Sequence, residues 1–142
     1  MTTWLAGHYD IWAAAVAGAA VTDFFDQYNM SDLNNWYGCG LGGSPWLNNN
    51  AENYWRQSPI AYAHKIKAPT LILSNFGDDR VPVSQSYKLY HALKDNDVDV
   101  QFIVYAIPGH APKDPVHIHD VQCRWTNWVK EKFDAIKDEN SV

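Results

Sequence analysis

The residues able to do chemistry sit in two short segments, each following an apolar run. Asn75-Phe-Gly-Asp-Asp-Arg-Val-Pro82 follows Thr70–Ser74, and Pro108-Gly-His-Ala-Pro112 follows Val98–Ile107. An acid after one strand and a His after the next can make a general base. The carboxylate fixes one ring nitrogen, which leaves the other free to take a proton. His110 is the base of such a pair, and Asp78 or Asp79 its acid. On spacing alone an N-cap aspartate and a loop histidine are the slightly favoured reading. Arg80 is expected to brace this loop by pairing with an acid, or else to contact substrate.

A nucleophile is harder to find. The serines are Ser31, Ser44, Ser58, Ser74, Ser84, Ser86 and Ser141, and none stands in Gly-x-Ser-x-Gly. Ser44 reads as a turn residue, and Ser84 and Ser86 as the cap and first turn of a helix. Thr2, Thr3 and Cys39 stay open as substitutes. The pair His117 and His119 lies two residues apart near a helix start, a spacing that points the rings apart. His64 and His91 bring no carboxylate cluster, so no metal site is expected. Gly38-Cys-Gly-Leu-Gly-Gly43 fits neither a dinucleotide fingerprint nor a Walker loop, and no cofactor is expected.

The elements that must hold these residues alternate. Met1 to His8 reads as the body of a helix without a start signal. Ala13–Val21, small and apolar, reads as a buried strand, and Thr22-Asp23 opens a helix carrying Phe24, Phe25 and Tyr28. Residues 34–57, rich in Gly, Asn and aromatic side chains, read as an irregular surface excursion or lid. A short helix follows Ser58-Pro59. Strands are then expected at Thr70–Ser74 and Val98–Ile107, with a helix from Ser84 to Lys94 between them. The last helix begins near Pro115, with Val121, Trp125, Trp128, Val129, Phe133 and Ile136 on one face and a fraying tail over 137–142. Strand, helix, strand, helix in this order means an α/β domain with a mostly parallel sheet flanked by helices.

The wording of these segments adds to that reading. Gly77-Asp-Asp-Arg-Val-Pro-Val-Ser-Gln-Ser-Tyr87, Tyr105-Ala-Ile-Pro-Gly-His110 and Arg124-Trp-Thr-Asn-Trp128 resemble the C-terminal catalytic domain of the prolyl oligopeptidase family. Ala14-Ala-Val-Ala-Gly-Ala-Ala-Val-Thr-Asp23, Gly42-Gly-Ser-Pro-Trp46 and Trp55-Arg-Gln-Ser-Pro59 join the likeness, which covers nearly the whole chain. The resemblance implies a partial α/β-hydrolase fold in one domain over 1–142, acting on peptide or carboxylic ester bonds. It puts the triad acid on Asp78, with Asp79 the weaker choice, and the triad base on His110. In the family, the segment matching Met1-Thr-Thr-Trp-Leu5 follows directly on the nucleophile elbow, so a chain truncated after its serine is expected, with weak or esterase-like activity. The alternatives are a catalytically silent oligomerising module and a half-enzyme completed by a second chain. A strand around Ala13–Val21 without its neighbour would be a raw sheet edge, which predicts homo-oligomerisation.

Composition narrows the rest. The 142 residues make one domain, and 46% hydrophobic with 19% charged residues describe a folded chain. A net charge of -5 gives no basic excess for nucleic acid. No apolar run is long enough to cross a membrane, and no basic residue precedes Ala13–Val21 as an export signal requires. The default expectation is therefore cytoplasmic. Cys39 and Cys123 form no disulfide framework. Aromatic residues reach 14%, which suits a ring-rich core as well as a pocket wall.

Overall fold

The computed structural model describes residues 1–139. Three parallel strands form one sheet in the order β1 (Ala15–Gly18), β2 (Thr70–Gly77), β3 (Val100–Pro108). β2 lies in the middle and is buried through Asn75, which accounts for its unbroken apolar run. Alternation along the strands splits the core in two. Ala17 and Ile72 face one side, packed with Ala6, Leu89 and Leu93. Leu71, Leu73 and Tyr105 face the other, packed with Trp128. Helices α1 (Thr2–Ala6) and α5 (Ser84–Asp95) thus cover one face, and α6 (Pro115–Glu139) the other. The α/β reading with a parallel, helix-flanked sheet holds.

Local signals explain most boundaries. α1 starts at Met1 with no side-chain cap, as its sequence suggests. α2 (Phe24–Met30) is capped by Asp23, whose carboxylate accepts from the amides of Phe25 and Asp26. Pro115 opens α6, and Asp114 accepts from the His117 amide as its cap. A 3-10 helix (Pro59–Lys65) follows Ser58, whose Oγ donates to the Tyr54 carbonyl and accepts from the Phe24 amide.

Two expectations need correction. The segment 34–57 is not irregular throughout, because it holds α3 (Asn34–Gly40) and α4 (Ala51–Gln57). Tertiary packing overrides the Gly and Asn content there. Tyr54 is fully buried among Phe25 and Tyr28, and its hydroxyl donates to the Gly43 carbonyl. Ser84 does not cap α5, which starts from Val83 without a side-chain cap, whereas Ser86 lies in its first turn as expected. Ser84 instead reaches the Met30 sulfur, and Ser86 is buried. The apolar face of α6 is only partly covered, with Trp128 buried but Trp125, Phe133 and Ile136 exposed. α6 is helical through 139, and the remainder of the expected tail, with Ser141, lies outside the described residues.

Candidate active site

Both loops expected to carry chemistry lie at the carboxyl ends of adjacent strands, β2 and β3, where open parallel sheets place their sites. Asp78 follows β2 directly. Its side chain is fully shielded, and its Oδ1 accepts from the backbone amides of Arg80 and Val81 at 2.9 Å each. That leaves Oδ2 to meet Nδ1 of His110 at 2.9 Å. The His110 side chain is half exposed, and among the described residues nothing bonds its Nε2. A buried carboxylate on one ring nitrogen and an open second nitrogen make a geometry that can hold an imidazole in one tautomer with a free site for a proton. Asp79 is exposed, and of the two aspartates it is Asp78 whose carboxylate meets His110.

The turn carrying Asp78 is clasped from α2 and the residues after it. Gln27 Nε2 and Ser31 Oγ both donate to the Arg80 carbonyl, at 2.6 and 2.8 Å. The Arg80 guanidinium grips Asp32 through both carboxylate oxygens, at 2.7 and 3.0 Å. The Asp32 amide donates to the Asp79 carbonyl. The acid expected to pair with Arg80 is therefore Asp32. The fork-to-fork bond with Arg80 holds the Asp32 carboxyl below its ordinary 3.8. A carboxylate with a depressed folded pKa contributes its stability above the ordinary value and loses it as pH falls through the lowered one. Asp32→Asn is expected to remove part of the acid-side loss of stability below about pH 4, read from melting temperatures of the two proteins across that range. The pair is exposed, so the effect should be small.

An open cavity of about 450 Å³ adjoins His110. It is lined by apolar Val16, Leu73 and Trp125 and by Thr2, Ser74 and Tyr105. Thr2 is thus on the His110 side of the molecule, whereas Thr3 is buried with an unpaired hydroxyl and Cys39 is exposed on α3. Ser74 Oγ is also buried and unpaired. Ser44 caps a turn by accepting from the Trp46 amide. The glycine segment 38–43 offers no phosphate cradle. The Gly43 amide bonds Gly38, and the Gly43 carbonyl is held by Tyr54. His117 turns its Nδ1 to Asp114, and His119 faces Cys123 at 3.4 Å, so the two rings do not converge. Beside the cavity, the Tyr105 hydroxyl donates to Asp120, which Arg124 also grips. Burial first and the Asp120 hydrogen bond second push the Tyr105 phenol up to about 12.

Residues 1–135 match the model of the prolyl oligopeptidase family. The chain belongs to the prolyl oligopeptidase family. The mouse acylamino-acid-releasing enzyme is 31% identical over 115 residues, covering 75% of this chain and 15% of that protein. The uncharacterized peptidase YuxL of Bacillus subtilis is 27% identical over 115 residues, covering 78% of this chain and 17% of that protein. A crystal form of Pyrococcus horikoshii acylaminoacyl peptidase superposes with a TM-score of 0.72 at 31% identity, over 78% of this chain and 18% of the other. This prolyl oligopeptidase family chain therefore spans less than a fifth of the length of those relatives. Its sheet and helices are those of the α/β-hydrolase fold.

Sequence reasoning did not find Gln27, Asp32 or Asn75, whose Nδ2 donates to the Gly109 carbonyl. Each acts across a long stretch of chain, and only an unspecified partner for Arg80 was signalled.

Proposed function

We propose that this chain carries the acid–base half of a hydrolase centre that transfers acyl groups from peptide or ester bonds to water. Acting alone, it turns over labile carboxylic esters slowly. The supporting observation is the 2.9 Å bond from His110 Nδ1 to the buried Asp78 carboxylate, with Nε2 left open beside a cavity. Nε2 takes a proton from water as the water oxygen attacks the acyl carbon. The same proton then passes to the departing alkoxide as the ester C–O bond breaks, giving acid and alcohol. Water is the attacking group in this reading because no Ser, Thr or Cys among the described residues bonds Nε2. The names of the relatives, acylamino-acid-releasing enzyme and acylaminoacyl peptidase, favour an N-acylated amino acid on the acyl side.

The experiment is an assay of size-fractionated protein on p-nitrophenyl acetate and on the p-nitrophenyl ester of an N-acetylated amino acid. Heat-killed protein and a fluorophosphonate probe run alongside. Turnover above the control without labelling is expected. Labelling of one residue would replace water by that nucleophile. No turnover in any fraction would overturn the reading.

A second reading rests on β1, which pairs with β2 on one side and, among the described residues, bears no strand on the other. Such an edge can accept a strand from another copy, with Ile11, Trp12 and Trp125 as exposed apolar surface. In that reading the chain is an assembling module, and sizing would find a dimer or larger.

A further inference from the structure

The imidazole of His110 is aimed by the backbone that carries it, and that backbone makes a sharp turn. Gly109 has φ +81, a left-handed conformation open to glycine. Both peptide groups that flank Gly109 are tied to β2. The Gly109 amide donates to the Gly77 carbonyl at 2.7 Å. The Gly109 carbonyl accepts from Asn75 Nδ2 at 2.8 Å, and that bond fixes the plane of the peptide leading into His110. Strand and loop approach so closely here that a Cβ on Gly77 would stand 3.0 Å from the Pro108 Cα.

From this geometry we infer that Asn75 is a positioning residue for His110, setting the peptide plane that points Nδ1 at Asp78. Asn75 is 5% exposed at the end of the central strand, next to the register shift between Asn75 and Gly77. Its side chain is short and held on a buried strand, so its donor has little freedom. Among the described residues no other side chain holds the Gly109 carbonyl. Asn75 makes no hydrogen bond to Asp78 or to the His110 ring, and its bond toward His110 runs through the main chain. The inference rests on the reading of His110 as base, but its consequence can be observed without turnover.

The test is ¹⁵N NMR of the His110 ring in the full chain, at a pH where the imidazole is neutral. Nitrogen shifts distinguish a ring protonated at Nδ1 from one protonated at Nε2. In the native protein Nδ1 should carry the proton, because a hydrogen bond to a charged carboxylate biases that ratio by roughly tenfold or more. Asn75→Asp keeps the size and removes the donor, and should bring the two forms toward equal population. Asn75→Ala, which adds no charge, carries the same expectation should the aspartate variant not fold. Thr70→Val is the control. Thr70 is equally buried at the other end of β2, where its hydroxyl donates to the Ala68 carbonyl. Tautomer loss in the Asn75 variants with Thr70→Val unchanged supports the inference. An unchanged tautomer in folded Asn75 variants, or equal loss in Thr70→Val, overturns it. A native ring protonated at Nε2 would instead refute the reading of His110 as base.

Discussion

Asp78→Asn is expected to leave the chain folded while lowering ester hydrolysis by about 10² to 10⁴, the contribution of a positioned general base. The asparagine oxygen can still accept from the amides of Arg80 and Val81, so the turn keeps its anchor. Its NH₂ group then faces His110 Nδ1 where the carboxylate oxygen stood. A donor at that point demands the lone pair of Nδ1, which moves the ring proton to Nε2 and removes the base. Asp78→Ala separates the two roles of this residue. It loses the base orientation and also strands two backbone donors, at about 1 to 3 kcal/mol each if both stay dry. Rates from the first variant and denaturant midpoints from the second would show whether catalysis and folding share this carboxylate as argued.

The second large effect is on stability, at Gln85→Leu. Gln85 is wholly buried on α5 and acts as a two-sided connector to the start of α2. Its Oε1 accepts from the amides of Thr22 and Asp23, at 2.9 and 2.7 Å, and from the Thr22 hydroxyl. Its Nε2 donates to the Asp23 carbonyl at 2.8 Å and to Gln27 Oε1 at 3.3 Å. Leucine fills much of the volume but answers none of these groups. Two buried amides without partners cost roughly 2 to 6 kcal/mol together. The loss should reach the site as well, because Gln27 passes from Gln85 on one side to the Arg80 carbonyl on the other. Urea unfolding of native and variant protein reads the first effect, and residual hydrolysis at native-like temperature reads the second. A variant as stable as the native protein would mean that these contacts carry little net energy.

Local pattern made the frame readable. The apolar run of Thr70–Ser74 became the buried central strand, and the order of acid and histidine placed both at neighbouring strand ends. Motif wording favoured Asp78 over Asp79, and of the two Asp78 is the one that turns inward to His110. What stayed hidden was long-range and polar. Asp32 meets Arg80 across 48 residues, Asn75 meets Gly109 across 34, and Gln85 meets Thr22 across 63. Such residues look like ordinary surface positions until the fold brings their partners to them. The helices α3 and α4 escaped for a related reason. Glycine and asparagine lower helix propensity locally, and the rings against which Tyr54 packs, Phe25 and Tyr28, lie outside the segment. On α6 the periodicity correctly marked one apolar face. Periodicity cannot say how far a face is covered, and here Trp125 and Phe133 remain in solvent.

The central claim is that His110, oriented by Asp78, is the base of a hydrolytic site. Its most direct test compares p-nitrophenyl acetate hydrolysis by the native chain and by His110→Ala, at matched concentration and oligomeric state. His110 is half exposed, so its removal should spare the fold. Native turnover above the heat-killed control is expected, with the variant reduced to that control. Equal rates in the two proteins would contradict it.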